Sequence, residues 1–399
     1  MVSRSLLSPH AAPTRPALPL LEKGFRPFFL AGAAFAILAV PLWLLALTGG
    51  LQPGGAFGAL QWHAHEMLFG FSTAIIAGFL LTAISNWCGR ETVTGCPLAA
   101  LVGLWVAGRA ALFFASHLPR PLPFLLDASF LPALAIVCAA PIFAVRSRRN
   151  YGFVGLLFGL ALANGAAHWF ALRGDLETVR LAHRFALNLI VVMLVIMTGR
   201  VVPMFTRNAT RVSWIRSVPW LEYASLAAIV LLTLCDLVPS ADKLAVILSA
   251  VAATLLLARM RFWGTRHVAR LPLLWILHVG TLFIPLGLAL RAFAAVFANI
   301  PLSSSLHALT AGAIGCLTLG MMARVSLGHT GRMLEPARSA KWAFVSLTGA
   351  ALIRVGAPFL PSTHYLQGLT VASTLWSAAF LLFVVGYLKI LSSARSDAR

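Results

Sequence analysis

Residues 181–202 of this 399-residue chain read LAHRFALNLIVVMLVIMTGRVV, an almost uninterrupted apolar run with basic residues near both ends. Arg200 lies seventeen positions after His183, a separation of ~25 Å in an α-helix, close to the hydrocarbon thickness of a bilayer. A helix also satisfies its own backbone hydrogen bonds, which the bilayer core cannot do. This stretch is therefore predicted to be a transmembrane helix.

The rest of the chain has the same character. Of its residues 60% are hydrophobic and only 11% are charged, whereas a soluble domain carries about 25% charged residues. Apolar runs of about 20 residues recur, without the alternating pattern of a membrane β-barrel. We predict an all-α polytopic membrane protein of about twelve transmembrane helices. The predicted spans are 28–48, 64–85, 98–116, 123–145, 151–171, 181–202, 219–238, 243–260, 272–295, 304–326, 341–360 and 366–390.

The net charge of +20 lies in short basic clusters between the apolar runs. That distribution is typical of membrane topology, so we do not expect nucleic acid as a partner. With the N-terminus in the cytoplasm, most of the 31 Lys and Arg residues fall on the cytoplasmic side. We therefore expect both termini there: a segment 1–27, one transmembrane domain 28–390 and a short tail 391–399.

Helices 6 and 10 indicate an internal repeat. Helix 10 runs from His307 to Arg324, the same spacing as in helix 6, and helix 2 begins with His63 and His65. We predict a threefold pseudo-repeat of four helices, in which each second helix carries histidine at its outer start. Units with an even number of helices keep the repeats parallel.

Histidines inside membrane spans are the leading candidates for chemistry, because ionisable groups there are costly. His168, near the end of its span, is a marginal member of this set. Histidine is the commonest ligand of haem iron and copper. The predicted metal ligands are His63, His65, His183 and His307; the alternative is that these side chains only reach toward lipid head groups. His63 and His65 lie ~200° apart around a helix. They therefore serve two sites, or Gln61–His65 precedes the helix.

Further candidates are weaker. Glu66 is expected to orient a ligand or carry protons, the alternative being a solvated carboxylate at a helix N-terminus. His278 and His329 lie toward the inner side and form either a second haem site or two separate, satisfied histidines. Arg200 and Arg324 end helices 6 and 10. They are candidates for haem propionates, with cytoplasmic anchoring as the alternative.

Several of these segments resemble the NnrS family of membrane proteins over nearly the whole chain. They include GFRPFF at 24–29, WHAHEMLFGF at 62–71, GFLLTA at 78–83, MTGRVVP at 197–203, HALTAGAIG at 307–315 and MARVSLGHTGR at 322–332. The resemblance implies a bacterial inner-membrane protein with haem b and copper, acting in nitric oxide metabolism and resistance to nitrosative stress.

The chain is also similar, more faintly, to haem-copper oxidases and nitric oxide reductases. Those proteins have twelve helices in a threefold arrangement and place histidine ligands on helices 2, 6 and 10. The chain departs from them at helix 7, residues 219–238, which contains no histidine.

The function expected from the residues and the resemblance is nitric oxide binding, with reduction to nitrous oxide, at a membrane haem. In this hypothesis His65 and His307 flank a haem, and His183 with His63 holds copper or a second haem iron. Glu66 carries protons, and an external donor, quinol or a small cytochrome, supplies electrons. The alternatives are a secondary transporter of a small solute or metal, and a haem-based nitric oxide binder without turnover.

Overall fold

The computed structural model describes residues 18–396, and within that range every regular element is helical. Most of the predicted N-terminal segment and the last three residues of the predicted tail lie outside the described residues. The helices match the apolar sequence, because backbone N–H and C=O groups surrounded by lipid can form hydrogen bonds only within the protein.

Twelve long helices make up the described part of the chain, and each overlaps one predicted span. Eleven are long and apolar enough to cross a membrane, and the remaining one, Pro219–Cys235, is apolar and has 17 residues. This confirms the predicted all-α polytopic class. The helices are α1 Phe25–Leu47, α2 Gly55–Cys88, α3 Gly95–Phe113, α4 Pro121–Ala144, α5 Tyr151–Ala171, α6 Leu176–Thr210, α7 Pro219–Cys235, α8 Asp242–Met260, α9 Pro272–Ala294, α10 Leu302–Gly328, α11 Arg338–Gly356 and α12 Ser362–Ser392.

Helices α2, α6 and α10 contact one another at the centre of the bundle. Between 67% and 83% of the most apolar stretch of α2, α6, α9 and α10 is buried, against 39–44% in the other candidate spans. Consecutive helices pack around this centre, and α1 contacts α12. A threefold repeat would place the second helix of each unit in such a central position.

The first and last helices also meet at one end of the bundle. Arg26 donates from Nη1 to the carbonyl oxygens of Leu391 and Ser393, at 3.0 and 2.5 Å. We call this end, where Arg200 and Arg324 also lie, the basic end. The opposite end, where α2, α6 and α10 begin, is the histidine end.

Two of the three central helices change pitch directly after a histidine. In α2 a regular α-helical segment ends at His65 and π-helical turns follow over Glu66–Ser72. In α10 the α-helical segment ends at His307 and π-helical turns follow over Ala308–Ile314. Such turns are rare and frequently lie at functional sites. Helix α6 is α-helical throughout and continues past Pro203.

Candidate metal centre

A group of buried side chains near the histidine end forms what we call the histidine–aspartate cluster. Five helices contribute to it, because α4 packs against α2, α3 and α5, and α6 packs against α2 and α5. Its members are almost completely withdrawn from solvent. They are His65 and Glu66 of α2, Arg109 of α3, Asp127 of α4, His168 of α5 and His183 of α6.

Asp127 is the centre of the cluster. Its Oδ2 lies 2.9 Å from His65 Nε2 and 2.8 Å from His168 Nε2, and its Oδ1 is paired with Arg109. The ligand atoms of the two histidines and the aspartate all lie within 4.8 Å of one another. Among the described residues, this is the group of His, Cys, Asp and Glu whose donors converge tightly enough for a metal ion. Imidazole nitrogen and carboxylate oxygen are ligands of first-row transition metals.

Glu66 adds a second buried carboxylate. Its Oε2 accepts a hydrogen bond from Arg109 Nη1 at 2.6 Å, and its Oε1 has no hydrogen-bond partner. Because Glu66 is 1% exposed, the solvated-carboxylate alternative is wrong. With neutral imidazoles, two carboxylates face one guanidinium, which leaves a formal excess of one negative charge. Such an excess is costly in a low-dielectric interior.

A chain of hydrogen-bond contacts runs from Asp127 through His65 and His183 to Gln61. His65 Nδ1 lies 3.5 Å from His183 Nε2, and His183 Nδ1 lies 3.2 Å from Gln61 Oε1. The chain therefore has an acceptor oxygen at each end, Asp127 at one and Gln61 at the other, and three contacts between. Two neutral imidazoles supply only two N–H donors. With the Gln61 oxygen facing His183, one contact therefore holds an additional proton or a metal ion; with the Gln61 amide reversed, its Nε2 donates to His183 Nδ1 and all three contacts are satisfied.

Aromatic rings enclose the cluster. The Phe57 ring centroid lies 4.6 Å from that of His65 and 5.1 Å from that of His168, and Phe69 lies 4.8 Å from His65. Phe57 follows a turn whose Gly54 has φ +83°, a conformation that favours glycine. These rings exclude water and hold the imidazoles in fixed orientations.

Gly70 makes room for the buried charges one turn further along α2. A Cβ at this position would lie 2.6 Å from Glu66 Oε2 and 2.9 Å from Arg109 Nη1. The Gly70 carbonyl also accepts a hydrogen bond from Trp105 Nε1 at 3.0 Å, which ties α3 to the π-helical turns of α2. A larger residue would displace the ion pair.

His63 and His307 lie in a separate group at the histidine end. The His63 ring stacks on Trp43 with centroids 4.2 Å apart, and its Nδ1 has no partner. His307 Nδ1 donates to the Ser303 carbonyl at 2.7 Å. Arg354 of α11 is close enough to act electrostatically on both histidines, and its Nη1 is also unpartnered. We call this the His63–His307 group.

The structure therefore distributes the four predicted ligands over two places. Because Gly58–His65 is a regular α-helix, residues two apart point to nearly opposite sides. His65 accompanies His183, and His63 accompanies His307. The predicted arrangement paired His65 with His307 and His63 with His183, which is not the pairing that the structure shows.

The other predicted haem contacts lie toward the basic end. His278 is held between the hydroxyls of Thr206 and Thr265, at 2.9 and 3.0 Å, whereas the His329 ring lies 5.9 Å from that of Phe25. The two histidines share no contact partner, so the structure does not join them in one site. Burial, with nearby Lys23 and Arg395, lowers the pKa of His329.

Arg200 and Arg324 also make contacts within the protein. Arg200 donates to Asn150 Oδ1 at 3.1 Å and to the Arg149 carbonyl at 3.0 Å. The Arg324 guanidinium lies 3.9 Å from the ring centroid of Phe205. These contacts fit a role of both arginines in anchoring the basic end. Binding of haem propionates by either arginine stays a prediction.

Two members of the cluster, Arg109 and Asp127, were not predicted from the sequence as site residues. His168 was a marginal candidate without an assigned role. A usable signal existed in Arg109, because an arginine inside a predicted span needs a buried acid nearby. Asp127 is an acid inside the next span, 123–145. Which residues meet across helices, however, depends on packing that apolar runs do not encode.

The fold and the cluster together define a polytopic membrane protein with a buried set of transition-metal donors. The profile of the family described as NnrS protein matches residues 19–395, nearly the whole chain. The chain therefore belongs to the NnrS family, as its motifs indicate. No curated protein shows a significant match to it. Family membership is consistent with a metal- or haem-binding protein in the response to nitric oxide, and the membrane-spanning helices imply contact with lipid.

Proposed function

We propose that this protein binds a redox metal at the histidine–aspartate cluster and uses it in nitric oxide metabolism. The observation that carries the proposal is the convergence of His65, His168 and Asp127, whose ligand atoms all lie within 4.8 Å of one another in a buried site. A metal ion there would take the place of the proton between His65 Nε2 and Asp127 Oδ2. His65 Nδ1–H then donates to His183, and His183 Nδ1–H donates to Gln61.

Copper suits the donor set of this site. Asp127 Oδ2 lies 2.8–2.9 Å from the two imidazole nitrogens. Imidazole nitrogen together with carboxylate oxygen is a donor set that suits Cu(II) among the first-row metals. His65, His168 and Asp127 would hold the ion, and His183 and Arg109 would fix the orientation of His65 and Asp127. Bound copper supplies one-electron redox chemistry.

Haem b fits the His63–His307 group better than the cluster. Two buried polar atoms there, His63 Nδ1 and Arg354 Nη1, lack partners, so the group can still receive an iron ligand and an anionic carboxylate. In this proposal His63 or His307 holds the iron and Arg354 pairs with a propionate. That His65, His278 and His329 contact haem stays a prediction, which haem absorption spectra of their single alanine variants would test.

The reaction we propose is the reduction of nitric oxide. Joining two nitric oxide molecules to give nitrous oxide and water consumes two electrons and two protons. Electrons would come from quinol or a small cytochrome. Glu66 is the proposed proton carrier, because its Oε1 is free beside the cluster while Arg109 holds its Oε2. The protein would work in the bacterial inner membrane, with the histidine end facing outward.

Metal analysis of the purified protein tests the site. Wild type is expected to carry copper, and Asp127→Asn and His168→Ala are expected to lose most of it. His117→Ala is the matched control, because His117 is exposed and follows α3 at the same end of the bundle. Equal copper in all four proteins, or its absence from wild type, would refute the proposed centre.

Turnover is tested with the loaded full-length protein. With a supplied reductant, nitrous oxide should appear at half the rate of nitric oxide consumption, and Glu66→Gln should slow it without removing copper. Stoichiometric binding without nitrous oxide would instead favour the non-catalytic binder.

A transporter of small solutes is the second candidate, because twelve helices with internal repeats suit that class as well. The buried charges Glu66, Arg109 and Asp127 are the observation that supports it. Solute flux into proteoliposomes that disappears in Asp127→Asn, in a protein without copper or haem, would establish this reading.

A further inference from the structure

A second region of the molecule, at the basic end, has the features of a ligand site. Two adjoining cavities of about 640 and 550 Å³ open between the α6–α7 connection, the α8–α9 connection and the first turns of α9. Both are lined by Trp214, Arg261 and Arg266. We call them together the arginine–tryptophan groove. It shares no residue with the histidine–aspartate cluster.

The groove is strongly positive. Residues 207–216, from the last turn of α6 into the α6–α7 connection, and residues 261–270 of the α8–α9 connection together contain six arginines and no Asp or Glu. The nearest acid along the chain, Glu222, is occupied by Arg259 at 2.8 Å. Neither cavity has an acidic residue in its wall. Arg261 and Arg266 thus present positive charge without a carboxylate partner among the residues of the groove.

The walls of the groove next to the arginines are apolar and face away from the centre of the helix bundle. Leu257 of α8 and Leu282 of α9 are 47% and 48% exposed, and both line the larger cavity. They lie on spanning helices, so their exposed faces meet lipid chains. Trp214 and Trp220 stand at the rim, 42% and 65% exposed, where tryptophan is enriched at membrane interfaces.

Contacts within the protein fix the shape of the groove. The Arg216 backbone N–H donates to the Phe262 carbonyl at 3.0 Å, which ties one connection to the other. Gly264 has φ +72° and packs against the fully buried Ile215. The Arg266 guanidinium lies 5.8 Å from the ring centroid of Trp214. These contacts hold the charged rim in position over the apolar wall.

We propose that this groove binds one anionic phospholipid, with the headgroup phosphate between Arg261 and Arg266 and an acyl chain along Leu257 and Leu282. The positive charge of the groove favours a phosphate as its ligand. Because the charged rim continues into an apolar wall that faces lipid, this phosphate belongs to a phospholipid. A soluble phosphate would leave the apolar wall unused. The proposal does not depend on the histidine–aspartate cluster, although His278, a predicted haem contact, lines the larger cavity.

The test is a titration of the delipidated full-length protein with phosphatidylglycerol and, separately, phosphatidylcholine, followed by native mass spectrometry. Wild type should bind phosphatidylglycerol more tightly. The double variant Arg261→Gln/Arg266→Gln should lose about tenfold or more in that affinity, since each basic residue near anionic lipid is worth about 1 kcal/mol. Phosphatidylcholine binding should not change.

The matched control is Arg148→Gln/Arg149→Gln, which removes the same charge from exposed positions at the same end of the bundle. It should keep the preference for phosphatidylglycerol. Equal loss in both double variants would mean a general charge effect and overturn the site, as would no loss in either. Inorganic phosphate that competes as well as the lipid would assign a soluble anion instead. Haem absorbance lost in Arg261→Gln/Arg266→Gln, with lipid preference retained, would assign the arginines to a haem.

Discussion

At the scale of single residues, Arg109 supplies the positive charge that allows the two carboxylates of the cluster to be buried. It is 7% exposed and pairs with both Glu66 and Asp127. Removing one partner of a buried ion pair leaves an uncompensated charge, which costs about 3–5 kcal/mol. We therefore predict that Arg109→Gln lowers the free energy of unfolding by about that amount, measured by thermal unfolding of the purified protein.

Two further variants separate charge from packing in this prediction. The triple variant Glu66→Gln/Arg109→Gln/Asp127→Asn removes all three charges and should recover most of the lost stability. Arg173→Gln, at an exposed arginine 3.6 Å from the Trp169 ring centroid, should have little effect. If the triple variant is as unstable as Arg109→Gln, packing rather than charge explains the loss.

Asp175 gives a prediction about pH. It caps α6, accepting hydrogen bonds from the Thr178 backbone N–H at 3.0 Å and the Thr178 hydroxyl at 2.6 Å. These bonds lower the pKa of Asp175. Because the folded pKa lies below the unfolded value of about 3.9, the stabilisation is present above that value. It is lost as the pH falls through the folded pKa.

The measurement is the thermal midpoint of wild type, Asp175→Ala and Asp175→Asn across the acidic range. Asp175→Ala should be less stable than wild type at neutral pH, with the difference narrowing on acidification. Asparagine is also a good cap but does not titrate, so the gap between Asp175→Asn and Asp175→Ala should stay constant. A constant gap between wild type and Asp175→Ala would contradict the linkage.

At the scale of elements, the π-helical turns of α2 set the direction in which His65 points. Deleting one residue from them, Met67, would restore an α-helix and rotate His65 by ~100° relative to the rest of α2. We predict that this deletion separates His65 from Asp127 and removes the bound metal, while circular dichroism keeps its helical signal.

The chain offers two controls for this deletion. Removing Ala311 from the π-helical turns of α10 should move His307 and leave the histidine–aspartate cluster loaded. Removing Gly50 from the connection between α1 and α2 should change neither group. Metal retained after deletion of Met67 would show that the pitch of α2 does not position the ligand.

The start of α2 also shows where prediction from sequence succeeds and fails. Apolar runs found every long helix, because lipid selects for them regardless of packing. The predicted span begins at residue 64, whereas the helix begins at Gly55. The polar side chains of Gln61 and the histidines indicated a solvent-exposed segment, but neighbouring helices bury them. The candidate ligands His65 and His183 were found as costly groups in a span. Asp127 was missed because its partners come from three other helices.

At the scale of the whole molecule, twelve alternating helices place both described ends together, as the Arg26 contacts with the C-terminal helix show. Which end faces the cytoplasm is a separate matter and rests on the positive charges alone. Helix α3 offers a direct test, because Cys96 is an exposed, free cysteine at the start of the helix, at the basic end. The exposed residue His117 follows its other end.

We predict that a membrane-impermeant maleimide labels Cys96 in inverted vesicles and not in intact spheroplasts. The protein for this test carries Cys88→Ser and Cys235→Ser, because those two cysteines are partly exposed, whereas Cys138 and Cys316 are buried. Adding Cys96→Ser and His117→Cys should reverse the pattern, with labelling in intact spheroplasts. The reverse result for both proteins would mean that the basic end faces outward. The histidine–aspartate cluster would then open toward the cytoplasm. Both the route of protons to Glu66 and the side on which an electron donor docks depend on that outcome.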